Sequence, residues 1–186
     1  MAAPPDRVLL LGDSLSAAHN IPLESSWPHL LAERLAAREP PLELVNASIS
    51  GETTDAGLAR LPDLLQRHRP RLLILELGAN DGLRGLPLAQ IRDNLAAMMD
   101  LASDAGARVL LLGIELPINY GPQYRDGLRA IYQQLAQEKD AALLPFLLQD
   151  VALDATLMQP DGLHPNAAAQ PRVLANVWRA LEPLLM

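Results

Sequence analysis

Three side chains in this 186-residue sequence have the types and spacing that nucleophilic catalysis needs. Ser14 lies in Gly12-Asp13-Ser14-Leu15-Ser16, directly after an apolar run. It therefore stands on the turn that leaves a strand, with its backbone N–H free to face a ligand. Far along the chain, Asp161 and His164 fall three residues apart in Asp161-Gly162-Leu163-His164-Pro165-Asn166. At that spacing a carboxylate accepts from one imidazole nitrogen across a tight turn and leaves the other facing outward as a base. Gly162 permits the turn and Pro165 fixes the chain beyond it. Taken alone, each signal reads better as turn chemistry, since Gly-Asp-Ser is a common turn and an Asp or a His before a helix is ordinary. The first segment is also not the Gly-x-Ser-x-Gly elbow of α/β-hydrolases, because Ser16 occupies the second glycine position.

Two further loops offer neutral hydrogen-bond donors. Gly51, in Ser50-Gly51-Glu52-Thr53, can present its N–H where a side chain would obstruct a substrate. Asn80, in Gly78-Ala79-Asn80-Asp81-Gly82, offers a carboxamide N–H₂. Together with the Ser14 N–H they make a three-donor oxyanion hole; singly, they read as a turn glycine and a capping Asn. Of the other histidines, His29 lies within a helical stretch and His68 in a polar Gln-Arg-His-Arg run, and both are expected at the surface. His19, in the loop after Ser14, is close enough in the chain to lie near the site, but is expected to be a bystander. The sequence has no His-x-x-x-His pair and no carboxylate cluster at ligand spacing, so no metal is expected.

The elements that must position these residues follow from hydrophobic period. Short apolar runs at residues 8–11, 42–45, 72–77, 109–114 and 142–144 suit strands buried on both faces of a parallel sheet. Amphipathic stretches alternate with them. Ser25 or Ser26 caps a helix that has Pro28 in its first turn and Leu30, Leu31 and Leu35 on one face. Pro87 opens a second, with Leu88, Ile91, Leu95, Met98 and Ala102 in a stripe. Leu128, Ile131 and Leu135 mark a third, and Leu174, Val177, Trp178 and Leu181 a fourth, after Pro171. The expected architecture is one doubly wound α/β domain over residues 1–186, three layers deep. Ligands of such sheets bind beyond the carboxyl ends of the strands. All four chemical signals fall on that edge, which reverses the weighing and meets the requirements of acyl transfer.

Composition narrows the function classes. Apolar residues make up 49% and charged residues 20%, a globular balance. Lys and Arg number 15 against 22 Asp and Glu, and the net charge of −7 is a poor match for nucleic-acid backbones or anionic membrane surfaces. With no Cys, disulfides, thiolate nucleophiles and Cys zinc sites are excluded. The longest apolar run, residues 141–148, is far short of the roughly 18 that a spanning helix needs. The start lacks the basic and then apolar stretches of a signal peptide. Ala2-Ala3 fits a cytoplasmic start or a mature exported protein carrying a new Met.

In chain order, Gly12-Asp13-Ser14-Leu15-Ser16, Gly51 in Ser-Gly-Glu-Thr, Asn80 in Gly-Ala-Asn-Asp and Asp161 with His164 in Asp-Gly-Leu-His-Pro-Asn resemble the signature blocks of the SGNH/GDSL hydrolase family. Within it, residues 46–54, 75–85, 119–121 and 161–170 are most similar to the bacterial thioesterase I, lysophospholipase and arylesterase group. The resemblance implies a flavodoxin-like α/β/α fold with five parallel strands and no cofactor. It assigns Ser14 as nucleophile, His164 as base, Asp161 as its orienter, and Ser14, Gly51 and Asn80 as oxyanion donors. It also implies export to the periplasm for many members; a cytoplasmic location is the alternative, and a monomer is favoured. Ala79 departs from the family's Gly-Gly-Asn-Asp.

The activity expected on these grounds is hydrolysis of small-molecule esters and thioesters, including acyl-CoA and lysophospholipid-like substrates, through a covalent acyl-enzyme. Leu83 and Arg84, in the loop beside Asn80, and Tyr120 are the expected acyl-binding residues; in similar enzymes that loop lines the acyl groove. The phosphates of coenzyme A meet a chain of charge −7, so simple carboxylic esters suit it at least as well. Two alternatives stand beside this activity. A carbohydrate O-acetyl esterase predicts an open polar cleft, against which the Leu-rich loop speaks. A non-catalytic binding module predicts loss of a catalytic residue, and none is lost.

Overall fold

The computed structural model describes residues 6–186, so the Ala2-Ala3 start lies outside the described residues. Five strands, β1 (Asp6–Gly12), β2 (Leu42–Asn46), β3 (Leu72–Glu76), β4 (Arg108–Leu112) and β5 (Ala142–Leu144), form one sheet in the order β2-β1-β3-β4-β5. Every pairing is parallel. Successive side chains of a strand point to opposite faces, and here both faces are apolar. Val8, Leu10, Leu72, Ile74, Leu110 and Leu112 pack with α1 (Trp27–Ala36) and α6 (Gln170–Leu181). Leu9, Leu11, Leu73, Leu75, Val109 and Leu111 pack under α2 (Thr54–His68), α4 (Leu88–Asp104) and α5 (Pro122–Glu138). That double burial is why the strands read as unbroken apolar runs.

The runs at 72–77 and 109–114 outlast their strands. Leu77 and Ile114 are buried, yet lie past the last ladder residues, because an apolar run records burial rather than pairing. The four expected helices are α1, α4, α5 and α6, with Ser26 as the cap of α1. α2 is an addition. Its cap, Thr53, accepts from Ala56 N, and it buries Gly57, Leu61 and Leu65 while carrying Pro62 in its interior. Gly and Pro there hide the period of a helix that is otherwise polar on its outer face. The loop expected at 78–82 is also corrected: one helical turn, α3 (Ala79–Leu83), occupies it.

From β1 the chain runs out to β2 on one side and then crosses back to β3 on the other. The strand order therefore reverses at β1, and a crevice opens between the carboxyl ends of β1 and β3. Gly78 turns the chain there, at φ 120°, ahead of α3. A Cβ on Gly78 would run into the hydroxyl of buried Tyr132, which donates to Leu77 O at 2.8 Å. Gly78→Ala is expected to lower stability by about 3 kcal/mol in urea unfolding, through strained backbone and overpacking together. A loss under about 1 kcal/mol would show that the turn yields easily. Among the described residues no helix is long and apolar enough to cross a membrane.

Candidate active site

Ser14 leaves β1 on a turn fixed from two sides. Leu15 N donates to Asp13 Oδ1 at 2.9 Å, and the buried indole of Trp27, at the start of α1, donates to Leu15 O at 2.9 Å. The N–H groups of Ser14 and Gly51 make no hydrogen bond among the described residues. Ser14 Oγ lies 2.8 Å from His164 Nε2, and His164 Nδ1 lies 2.6 Å from Asp161 Oδ2. The other oxygen, Asp161 Oδ1, accepts from Leu163 N and His164 N at 2.9 and 3.0 Å. Burial works to raise the Asp161 pKa, but those two N–H groups and the His164 ring outweigh it and hold the carboxyl at about 2. The carboxylate is thus ionised wherever an imidazole is neutral. Two residues separated by most of the chain meet because both loops sit on one sheet edge.

A partner that the sequence did not reveal is His19. Its ring lies over His164, centroid to centroid 4.2 Å at a 32° tilt. Both of its neighbours, Ala18 and Asn20, hold left-handed backbone, with φ 55° and 54°. Gln159 ties the two loops together: its N–H donates to His164 O at 2.7 Å, and its carboxamide donates to His19 O at 2.9 Å and Pro165 O at 3.0 Å. Backbone strain flanking a residue stacked on a candidate base points to a positioning role. His19→Ala is expected to lower kcat by about three- to tenfold at unchanged KM, and His19→Phe, which keeps the stack, to restore most of it. Equal rates for wild type and His19→Ala would return His19 to bystander status. No feature of the sequence marks it beyond its place after Ser14.

Asn80 sits in α3, across the crevice from Ser14. Its Nδ2 donates to Asp13 Oδ2 at 3.1 Å and to Glu52 O at 3.0 Å. α3 is itself tied to α2, because Asp81 accepts from Thr54 N at 2.9 Å and from Thr54 Oγ1 at 2.6 Å. Gly51 has φ 83° and open space where a Cβ would stand, so its backbone conformation selects glycine. Arg60 holds this loop by a two-pronged pair with the nearly buried Glu52, at 2.6 and 2.7 Å.

Beside Ser14 and His164 opens a cavity of about 90 Å³, walled mainly by Leu15, Leu83, Ile114, Leu116, Phe146 and Leu148. Leu83 is in the wall, whereas Arg84 and Tyr120 are outside it. Arg84 is exposed and reaches Gly51 O at 3.4 Å, and the Tyr120 hydroxyl donates to Leu83 O at 3.0 Å. These two therefore bear on the loops of the cavity rather than on its lining. Residues 114–117, Phe146 and Leu148 were missed as lining because they read simply as ends of apolar runs. Ligand atoms of His19, Asp161 and His164 lie within 4.8 Å of one another, the distance range of a cation site. The Asp161 and His164 atoms are committed to each other and to Ser14.

Residues 10–171 match the GDSL-like lipase/acylhydrolase family. Esterase TesA of Pseudomonas aeruginosa is 50% identical over 178 residues, 96% of this chain and 89% of that protein. Thioesterase 1/protease 1/lysophospholipase L1 of Escherichia coli is 45% identical over 184 residues, 99% of this chain and 87% of that protein. Among solved structures, the psychrotrophic esterase EstA from Pseudoalteromonas sp., inhibited by monoethylphosphonate, superimposes with a TM-score of 0.91 at 39% identity, covering 97% of this chain and 98% of that one.

Proposed function

The chain belongs to the GDSL-like lipase/acylhydrolase family and hydrolyses ester and thioester bonds, and from that premise we propose that it does so through a covalent acyl-enzyme on Ser14. The observation that carries the proposal is the relay Ser14 Oγ to His164 Nε2 to Asp161 Oδ2, at 2.8 and 2.6 Å. Ser14 Oγ attacks the acyl carbonyl as its proton passes to His164 Nε2. Asp161 holds the Nδ1–H tautomer and offsets the imidazolium charge. The tetrahedral oxyanion takes the N–H groups of Ser14 and Gly51 and the Asn80 hydrogen otherwise shared with Glu52 O. His164 then gives its proton to the leaving alcohol or thiol, and a second round with water releases the acid.

Asn80→Ala is expected to lower kcat by on the order of 10²–10³ at little changed KM. A drop of under about fivefold would remove Asn80 from the oxyanion hole. The lining supports an acyl group with an aliphatic or aromatic body over an acetylated sugar, which calls for a polar cleft. The first carbons of a chain fit inside, and a longer chain passes over the Leu83 loop. By resemblance alone, the proposal extends to a location in the periplasm, which cell fractionation tests; a monomer is favoured, which gel filtration tests.

The deciding experiment is fluorophosphonate labelling with peptide mass spectrometry, a phosphonate being the inhibitor bound by the EstA relative. An adduct on Ser14, absent from His164→Ala, is the expected result. A folded, active protein that takes no label at Ser14 overturns the acyl-enzyme.

A further inference from the structure

Beneath the nucleophile turn lie two carboxyl groups that the mechanism does not use. Asp13 and Glu76 are both fully buried. Each carboxyl group acts directly on the other's titration. Glu76 Oε2 accepts from Ser16 Oγ at 2.8 Å and from Asp13 N at 3.2 Å, whereas its Oε1 finds no donor. Gly12 leaves the room: a Cβ there would stand 2.7 Å from Glu76 Oε2. Asp13, by contrast, accepts at both oxygens, from Leu15 N and from Asn80 Nδ2.

Two neighbouring carboxylates are not both ionised in a dry interior without a cation, and a buried carboxylate oxygen without a donor is costly. A proton on Glu76 answers both objections. It turns the partnerless group into a donor and leaves Asp13, the better-solvated partner by its hydrogen bonds, as the anion. We propose that Glu76 is protonated at neutral pH and donates that proton to Asp13, which makes Glu76 a positioning residue: it fixes the carboxylate that holds one Asn80 hydrogen and the Leu15 N–H.

The facing groups agree. Burial raises Glu76 well above the carboxylate range, and the Asp13 charge pushes it further. Burial brings Asp13 to about 6, with Leu15 N–H, Glu76 and His164 acting to lower it and Asp81 of α3 to raise it. From α5 the Tyr132 phenol, driven up by burial and by these same carboxyls, stays neutral. No cation is among the groups acting on Glu76. The role in catalysis rests on Asn80 being an oxyanion donor, but the protonation does not, and the two are separable by experiment.

The test is infrared spectroscopy of the whole protein at pH 8, with glutamate carboxyl carbons labelled with ¹³C, beside kinetics of Glu76→Gln and Asp13→Asn. The expected spectrum contains one carbonyl stretch of an un-ionised carboxylic acid. It shifts with the glutamate label and is missing in Glu76→Gln. Gln also donates to Asp13 and accepts from Ser16 and Asp13 N, so Glu76→Gln should keep kcat within about threefold, whereas Asp13→Asn should lose on the order of 10²-fold, as an oxyanion donor does. Absence of the band from wild-type protein overturns the proposal, and needs no variant to fold. A band present with Asp13→Asn fully active overturns the positioning role. Retained band and kinetics together with no Ser14 label would instead count against the acyl-enzyme, not against the shared proton.

Discussion

Replacing Ser14 with alanine is expected to remove on the order of 10⁶ from kcat, His164→Ala about as much, and the double variant no more than either. The reason is geometric. The 2.8 Å bond between Ser14 Oγ and His164 Nε2 makes the two a single unit, in which a base without its nucleophile, or the reverse, has nothing to do. Neither side chain is a structural keystone, since both are only partly buried, so thermal unfolding should hardly move. Residual activity over water, from the N–H groups of Ser14 and Gly51, should remain. A series of short-chain ester substrates with matched unfolding curves measures this. Additive losses in the double variant, or a Ser14→Ala enzyme retaining even about a hundredth of kcat, would mean that another group attacks the carbonyl.

The second large effect is expected of Asp161→Asn, on the order of 10⁴ in kcat with the fold intact. Asp161 Oδ1 is held by the N–H groups of Leu163 and His164, so in the variant the carboxamide oxygen must stay there and the N–H₂ must face the imidazole. His164 Nδ1 then becomes the acceptor, Nε2 carries the proton, and the ring cannot take one from Ser14. The pH dependence follows from sign. The folded Asp161 titrates at about 2, below the ordinary value of 3.8, so its support is complete above the ordinary value and is lost only as pH falls through about 2. An acid limb of wild-type activity lying well above pH 2 therefore does not belong to Asp161. Rates that fall only as pH approaches 2, or Asp161→Asn at wild-type kcat, would sink this division of roles.

What could be read without coordinates was what depends on local chemistry and burial. The strands were legible because both faces of the sheet are covered, which leaves 8–11 and 72–75 unbroken in their apolar character. α2 was not, because Pro62 and Gly57 interrupt its period while tertiary contacts to the sheet carry the helix. α3 was not, since one turn of helix has no period to detect. Ser14, Gly51, Asn80, Asp161 and His164 stood out as candidates because each is a chemically apt residue type beside a glycine or proline that marks a turn.

Beyond that, the sequence by itself determined the inventory of chemistry: one Ser on a strand-end turn, an Asp-x-x-His pair with its own short-range geometry, two neutral donors, and a parallel sheet to align them. Only the tertiary structure decided which groups meet. Strand order brings loops far apart in the chain to one edge, and no local pattern encodes that. The same folding placed His19 over His164, set Phe146 and Leu148 in the cavity wall, and left Arg84 and Tyr120 outside it. It also buried Asp13 against Glu76, and a carboxyl group's charge state depends on its surroundings, which a sequence does not contain.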